Sequence, residues 1–127
     1  MVDAAILFTY TVVLVWYATL PARELPWQEL FWDKLRHVAA FFVMGALTLR
    51  LAGFPGLSPR KCARRGGWGI LYGLGIGILI EALQAHVPGR TPERADVVAD
   101  IVGSAAAVLL AVMFLRRRER LKNAAHS

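Results

Sequence analysis

Four apolar runs divide this 127-residue chain: residues 4–20, about 35–53, 68–87 and 97–115. Each holds 17 to 20 mostly apolar residues, enough for roughly 25 to 30 Å of helix and so just enough to cross a bilayer. In hydrocarbon the backbone finds no outside partner for its N–H and C=O groups, and a chain this short is too small for a closed barrel. The runs therefore predict helices. The expected fold is all-α: a polytopic membrane protein built as a bundle of four transmembrane helices, forming one domain over residues 1–127. A composition of 57% hydrophobic residues and a mean hydropathy of +0.47 fit this reading. Met1-Val2-Asp3 lacks the positive start of a secretory signal, so the first run is expected to stay in the mature protein. A single cysteine, Cys62, excludes an internal disulfide and a multi-cysteine metal site.

Positive charge sets the expected orientation. Arg50 with Arg60, Lys61, Arg64 and Arg65 gives five cations on one side, and Arg116, Arg117, Arg118, Arg120 and Lys122 give five more in the tail. The other side carries Arg23, Lys34, Arg36, Arg90 and Arg94, mixed with acids. Ten cations against five place both termini and the middle loop in the cytoplasm, in the inner membrane of a bacterium. Trp16, Tyr17, Trp27, Phe31 and Trp32 suit the outer interface, and Phe54, Trp68 and Tyr72 the inner one. The net charge of +6 then describes topology and attraction to anionic membrane lipids, the 116–127 tail above all. Nucleic acid is not an expected partner, because the cations flank spans instead of lining a groove with interleaved aromatics.

Small residues recur every fourth position: Gly69, Gly73 and Gly77 in the third run, and Ala99, Gly103, Ala107 and Ala111 in the fourth. Such stripes let helix backbones approach closely in a membrane. The short 88–95 connection predicts that the two stripes pack together as an antiparallel pair, with a homo-oligomer contact as the rival use. Thr91-Pro92-Glu93 reads as the start of the fourth helix and Pro26 as the start of a helix leading into the second span. Both helix N-termini then face outward.

Polar residues inside this frame are costly and point to function. Glu81 and Gln84 lie three apart in the third run, Asp33 and His37 four apart at the entry to the second, and Asp96 and Asp100 four apart at the start of the fourth. Each pair occupies one helix face. Glu81 sits roughly 9 Å below the outer boundary, and Arg90 in the adjoining loop is the nearest flexible cation. Three helix ends are thus expected to build one outward-facing polar pocket.

These motifs resemble the VanZ-like membrane proteins, a family named for an accessory factor in resistance to teicoplanin. The resemblance rests on Asp33-Lys34-Leu35-Arg36-His37, Glu81-Ala82-Leu83-Gln84, Pro88-Gly89-Arg90-Thr91, Asp96 and Gly103. It implies that Asp33, Lys34, His37, Glu81, Gln84, Arg90 and Asp96 form the family's polar set, and a role of the resistance or envelope-homeostasis kind. The family pattern usually has Asn where this chain has Asp100, so an amide is replaced by a further acid.

The residues themselves leave several activities open. The leading expectation is a binding module, in which the helix N-termini with Lys34, Arg36 and Arg90 hold a phosphate headgroup, a lipid-linked wall precursor or a glycan acid. A metal-assisted hydrolase or transferase is the alternative, with Glu81 or Asp96 as base, His37 as proton carrier and a divalent cation polarising the substrate. A small transporter with Glu81 and Asp100 as a proton or cation relay is a third. A purely structural lock of ion pairs between helix ends is the fourth.

Overall fold

Every described residue in regular structure is helical. The computed structural model describes residues 1–20 and 29–125, with side chains of 29–31 excepted. It contains α1 (Val2–Ala18), α2 (Glu29–Leu51), α3 (Pro59–Gln84) and α4 (Arg94–Ala124). The all-α expectation holds. α3 and α4 are each long and apolar enough to cross a membrane, while α1 is a shorter apolar helix of 17 residues. The expected start at Pro26, together with Arg23, Trp27, Phe31 and His126, lies outside the described residues or side chains.

Boundaries differ from the apolar runs for local reasons. α3 begins nine residues before Trp68, because Ser58 caps it by accepting from the Lys61 amide at 3.4 Å and Pro59 supplies a preset φ at the first position. Arg60, Lys61, Arg64 and Arg65 therefore ride on the first turns of α3 and not in a loop. α4 continues unbroken through the basic tail to Ala124. It starts at Arg94 and not at Pro92, with Glu93 in the cap position and its backbone N–H donated to Glu81 Oε2 at 2.7 Å. A side chain from α3 thus does the capping that Thr91 was expected to do.

Pairing follows from which residues meet. Lys34 meets Asp96, His37 meets Asp100, and the carbonyl of Phe41 accepts from Ser104 at 3.3 Å, a nearly constant offset in sequence. α2 and α4 therefore run parallel, in register. Between α3 and α4 the pattern reverses: Gly66 faces Val108, Gly73 faces Ser104 and Gly77 faces Asp100, an antiparallel alignment. α1 packs on α2 and α3 and does not reach α4.

The small-residue stripes distribute differently from the expected α3–α4 zipper. Gly103 of α4 lies against α2, where a Cβ would run into the Val38 carbonyl oxygen and come within 2.9 Å of the Phe42 amide nitrogen. Gly45 of α2 answers it, lying so close that a Cβ there would sit 3.0 Å from the Ser104 carbonyl oxygen and 3.1 Å from Ala107 Cβ. The α3 stripe is shared: Gly69 faces Thr48 of α2, Gly73 faces both Ser104 and Phe41, and Gly77 faces Asp100. The reason is that α4 has a small-residue face toward each neighbour, and α2 supplies the deeper notch.

Outside and inside are inverted relative to a water-soluble bundle. Buried positions include Gly, Ala, Ser and Asp as well as Phe41, Met44 and Ile80, whereas Phe8, Val12, Trp16, Leu71, Ile78, Val98, Val102, Leu109 and Phe114 are exposed. Exposed apolar surface of this extent is what a lipid-facing wall requires. Exposed Trp16, Tyr17, Trp32 and Trp68 suit interfacial belts. Tyr72 instead turns its hydroxyl to Thr11 Oγ1 at 2.9 Å, and Phe54 packs on Phe114 with centroids 6.0 Å apart.

This packing sets a test. Gly103→Val forces a side chain into the α2 backbone and should abolish the folded peak in detergent size-exclusion chromatography. Gly75→Ala, which meets open space inside α3, should elute as the wild type with a melting temperature that is no lower.

Candidate functional site

Parallel α2 and α4, with α3 antiparallel to both, bring the start of α2, the end of α3 and the start of α4 to the same end of the bundle. Lys34 stands at the centre of the first group. Its ammonium donates to Glu93 Oε2 at 2.6 Å and to Asp96 Oδ1. Burial works against the Lys34 ammonium, which precedes the apolar run of α2, but bonding to Asp96 and Glu93 outweighs it and holds the lysine above its ordinary pKa.

One turn deeper, His37 Nδ1 lies 2.8 Å from Asp100 Oδ1, and its Nε2 faces Asp96 Oδ2 at 3.9 Å. The latter distance is too long for a hydrogen bond. Asp33, on the same face of α2, completes a group in which Asp33, His37 and Asp96 each offer one ligand atom within 4.8 Å of the others. Asp100 is 1% exposed, and its Oδ2 has no hydrogen-bond partner. The absent Cβ of Gly77 makes room for that oxygen, 2.5 Å from where such a carbon would lie.

Glu81 approaches from α3. Its Oε2 accepts from the Glu93 amide, while its Oε1 is buried without a partner. Gln84 and Arg90 serve a different neighbour. Gln84 Nε2 donates to the Ala18 carbonyl at 2.8 Å, and Arg90 Nε donates to the Leu20 carbonyl at 3.3 Å. Both satisfy carbonyls left open where α1 ends. Arg90 was expected beside Glu81; the pull of an uncapped helix terminus takes it elsewhere.

The structure therefore joins Asp33, Lys34, His37, Glu81, Asp96 and Asp100, and sets Gln84 and Arg90 at the α1 edge of the same end. Glu93 belongs to the group as well, through both Lys34 and Glu81. The sequence marked it as part of a helix start; its place three residues before Asp96 and seven before Asp100, on the same helical face, was the signal that it also points inward. His86 bonds the Ala82 carbonyl at 2.9 Å and stays exposed, away from the cluster.

At the opposite end, Asp3 meets Arg50 Nε at 2.7 Å, and Arg65 reaches the Ala52 carbonyl. These exposed pairs tie α1 to α2 and α3 to the turn after α2. Cys62 is fully buried beside Leu49 and Val108, in an apolar cluster.

A family model described as VanZ/LLP1 matches residues 5–115. The chain belongs to the VanZ/LLP1 family. The match runs from α1 to the last apolar turn of α4 and includes every residue of the polar end. No curated protein and no solved structure matches the chain. Family membership and two helices able to span a bilayer make this a VanZ-like membrane protein, consistent with an envelope or resistance-related role.

The role of Glu81 as a cap can be measured. Glu81→Gln keeps an oxygen acceptor for the Glu93 amide and should melt within a degree or two of the wild type in detergent. Glu81→Leu removes it and should cost about 1 kcal/mol of stability, the low end of the range for an orphaned donor because the Glu93 amide is only partly buried.

Proposed function

We propose that all four helices span the bacterial inner membrane, with both termini cytoplasmic, and that the polar end opens toward the outer leaflet to recognise a phosphate-bearing envelope component. A lipid-linked wall precursor or a lipid headgroup has the chemistry required. What supports this reading is the convergence of ionisable groups from α2, α3 and α4 at one end of an otherwise lipid-facing bundle. Such groups are expensive in a bilayer and concentrate at working sites.

The geometry refines how recognition would work. Lys34 is already shared by Glu93 and Asp96, and Arg90 is turned to the Leu20 carbonyl. Glu93 and Asp96 hold that one ammonium directly, and the carboxyl groups of Asp33, Glu81 and Asp100 share the same end of the bundle. A phosphate approaching this group meets net negative charge, so it binds only with a cation between. The simple anion site built from Lys34, Arg36 and Arg90 is thereby the weaker version of the binding module.

Orientation is tested by reporter fusions. A periplasmically active phosphatase fused after Val87 should be active and one fused after Ser127 inactive; the reverse pattern would place the polar end in the cytoplasm.

The role is tested by replacing Asp33 with Asn and His37 with Gln in a bacterial host lacking its own copy. At equal membrane levels of folded protein, both variants should lose the wild-type protection against teicoplanin or against envelope stress. Full protection by both variants would reduce the polar end to an interhelical lock.

A further inference from the structure

The acid excess at the polar end is specific in its geometry. His37 presents Nδ1 to Asp100 Oδ1 at 2.8 Å, and this fixes the ring so that Nε2 points at Asp96 Oδ2, 3.9 Å away. A histidine held through one nitrogen by a buried carboxylate, with the other nitrogen directed at a second carboxylate, is the arrangement by which proteins orient an imidazole toward a metal ion. Two oxygens or nitrogens on one ion at about 2.0–2.2 Å lie farther apart than hydrogen-bonded atoms do. The His37–Asp96 gap has that character.

Asp33 supplies the third donor. Its ligand atom and those of His37 and Asp96 lie within 4.8 Å of one another, so side-chain adjustment of about 1 Å at the half-buried Asp33 closes them onto one centre with bonds of about 2.1 Å. Lys34 does not occupy this place, because it takes Asp96 Oδ1 and leaves Oδ2 to the His37 side. A separate observation points the same way. Asp100, 1% exposed, keeps Oδ2 without a partner behind His37, and Glu81 keeps Oε1 likewise. Buried carboxyl oxygens without a partner are relieved by protonation or by nearby positive charge, and an ion held by Asp33, His37 and Asp96 next to the His37–Asp100 pair supplies such charge.

We propose that Asp33, His37 and Asp96 bind one divalent transition-metal ion per chain, with Asp100 as the positioning residue for the His37 ring. One nitrogen and two carboxylate donors suit Zn²⁺ or Mn²⁺ better than Mg²⁺ or Ca²⁺, which take oxygen alone. Three protein ligands leave a coordination position for a water or a phosphate oxygen. This deepens the envelope-binding reading and rests on it for the identity of the outer ligand, though not for the ion itself.

The full-length protein in detergent, stripped with chelator, is titrated with Zn²⁺ by calorimetry and with Co²⁺ by visible absorption. The wild type should bind one ion, with Co²⁺ bands that His37→Gln removes. Asp33→Asn should weaken Zn²⁺ at least tenfold while leaving the metal-free melting temperature unchanged. Asp100→Asn, which alters no ligand, should weaken it by 10- to 100-fold, and Asp3→Asn at the opposite end should leave it within twofold. Absence of saturable binding, or an affinity indifferent to Asp33→Asn and His37→Gln, would overturn the site and leave an adventitious ion only. Binding that behaves as expected in variants whose envelope protection is intact would retain the site and remove the proposed function. Protection that depends on the polar end without any Zn²⁺ or Co²⁺ binding would do the opposite.

Discussion

The close approach of α2 and α4 is the constraint from which the polar end follows. Gly45 and Gly103 remove the two side chains that would otherwise keep the helices apart, and Ser104 donates to the Phe41 carbonyl across the gap. In a bilayer, where apolar side chains gain nothing by leaving lipid, such backbone proximity and interhelical hydrogen bonding hold helices together. Because the helices are parallel, the same register carried one and two turns outward aligns His37 with Asp100 and Lys34 with Asp96. The ion pairs are a consequence of the packing and do not need to create it.

α3 completes the arrangement by a division of labour along its length. Its glycines admit Thr48, Ser104 and Asp100 in turn, so this helix takes the imprint of its neighbours at three depths. Its last turns then do the opposite and reach out: Glu81 to the backbone N–H of Glu93, the residue that caps α4, and Gln84 to a terminal carbonyl of α1. Two helix ends of opposite polarity are satisfied by side chains one turn apart. An acid at the positive end of α4 and an amide donor at the negative end of α1 match the dipole at each place.

How much of this was legible in the sequence varies with the kind of signal. Four long apolar runs announce helices, because the period and length leave no other backbone solution. The i, i+4 spacing of Asp33 with His37 and of Asp96 with Asp100 gives shared faces that the bundle turns toward each other. Helix limits were less legible. Ser58-Pro59 carried a start signal hidden beneath the charges of Arg60 to Arg65, and the cap of α4 came from Glu81, a tertiary partner that no local pattern near Thr91 encodes. Stripe pairing was legible by half: α3 and α4 do pack antiparallel with Gly73 and Gly77 against α4, but Gly103 and Ala107 turn to α2, because a small-residue face states that something packs closely without naming what. Gly45, a lone glycine, gave α2 too faint a stripe to compete with Gly73 or Gly77. Arg90 was assigned to the nearest acid, whereas its real partner is a main-chain oxygen, which has no side-chain identity to read.

The unbroken run of α4 from Arg94 to Ala124 acts as a ruler. At 31 residues and about 1.5 Å each it is roughly 46 Å long, some 15 Å more than the hydrocarbon thickness of a bilayer. With Asp96 near one tip and the arginines from 116 onward near the other, a single rigid strut fixes the depth of the acids by where its guanidinium collar rests. With that collar anchored at one membrane face, as the proposed topology has it, thickening or thinning of the surrounding lipid would shift the acidic tip relative to the water boundary, without any hinge in between.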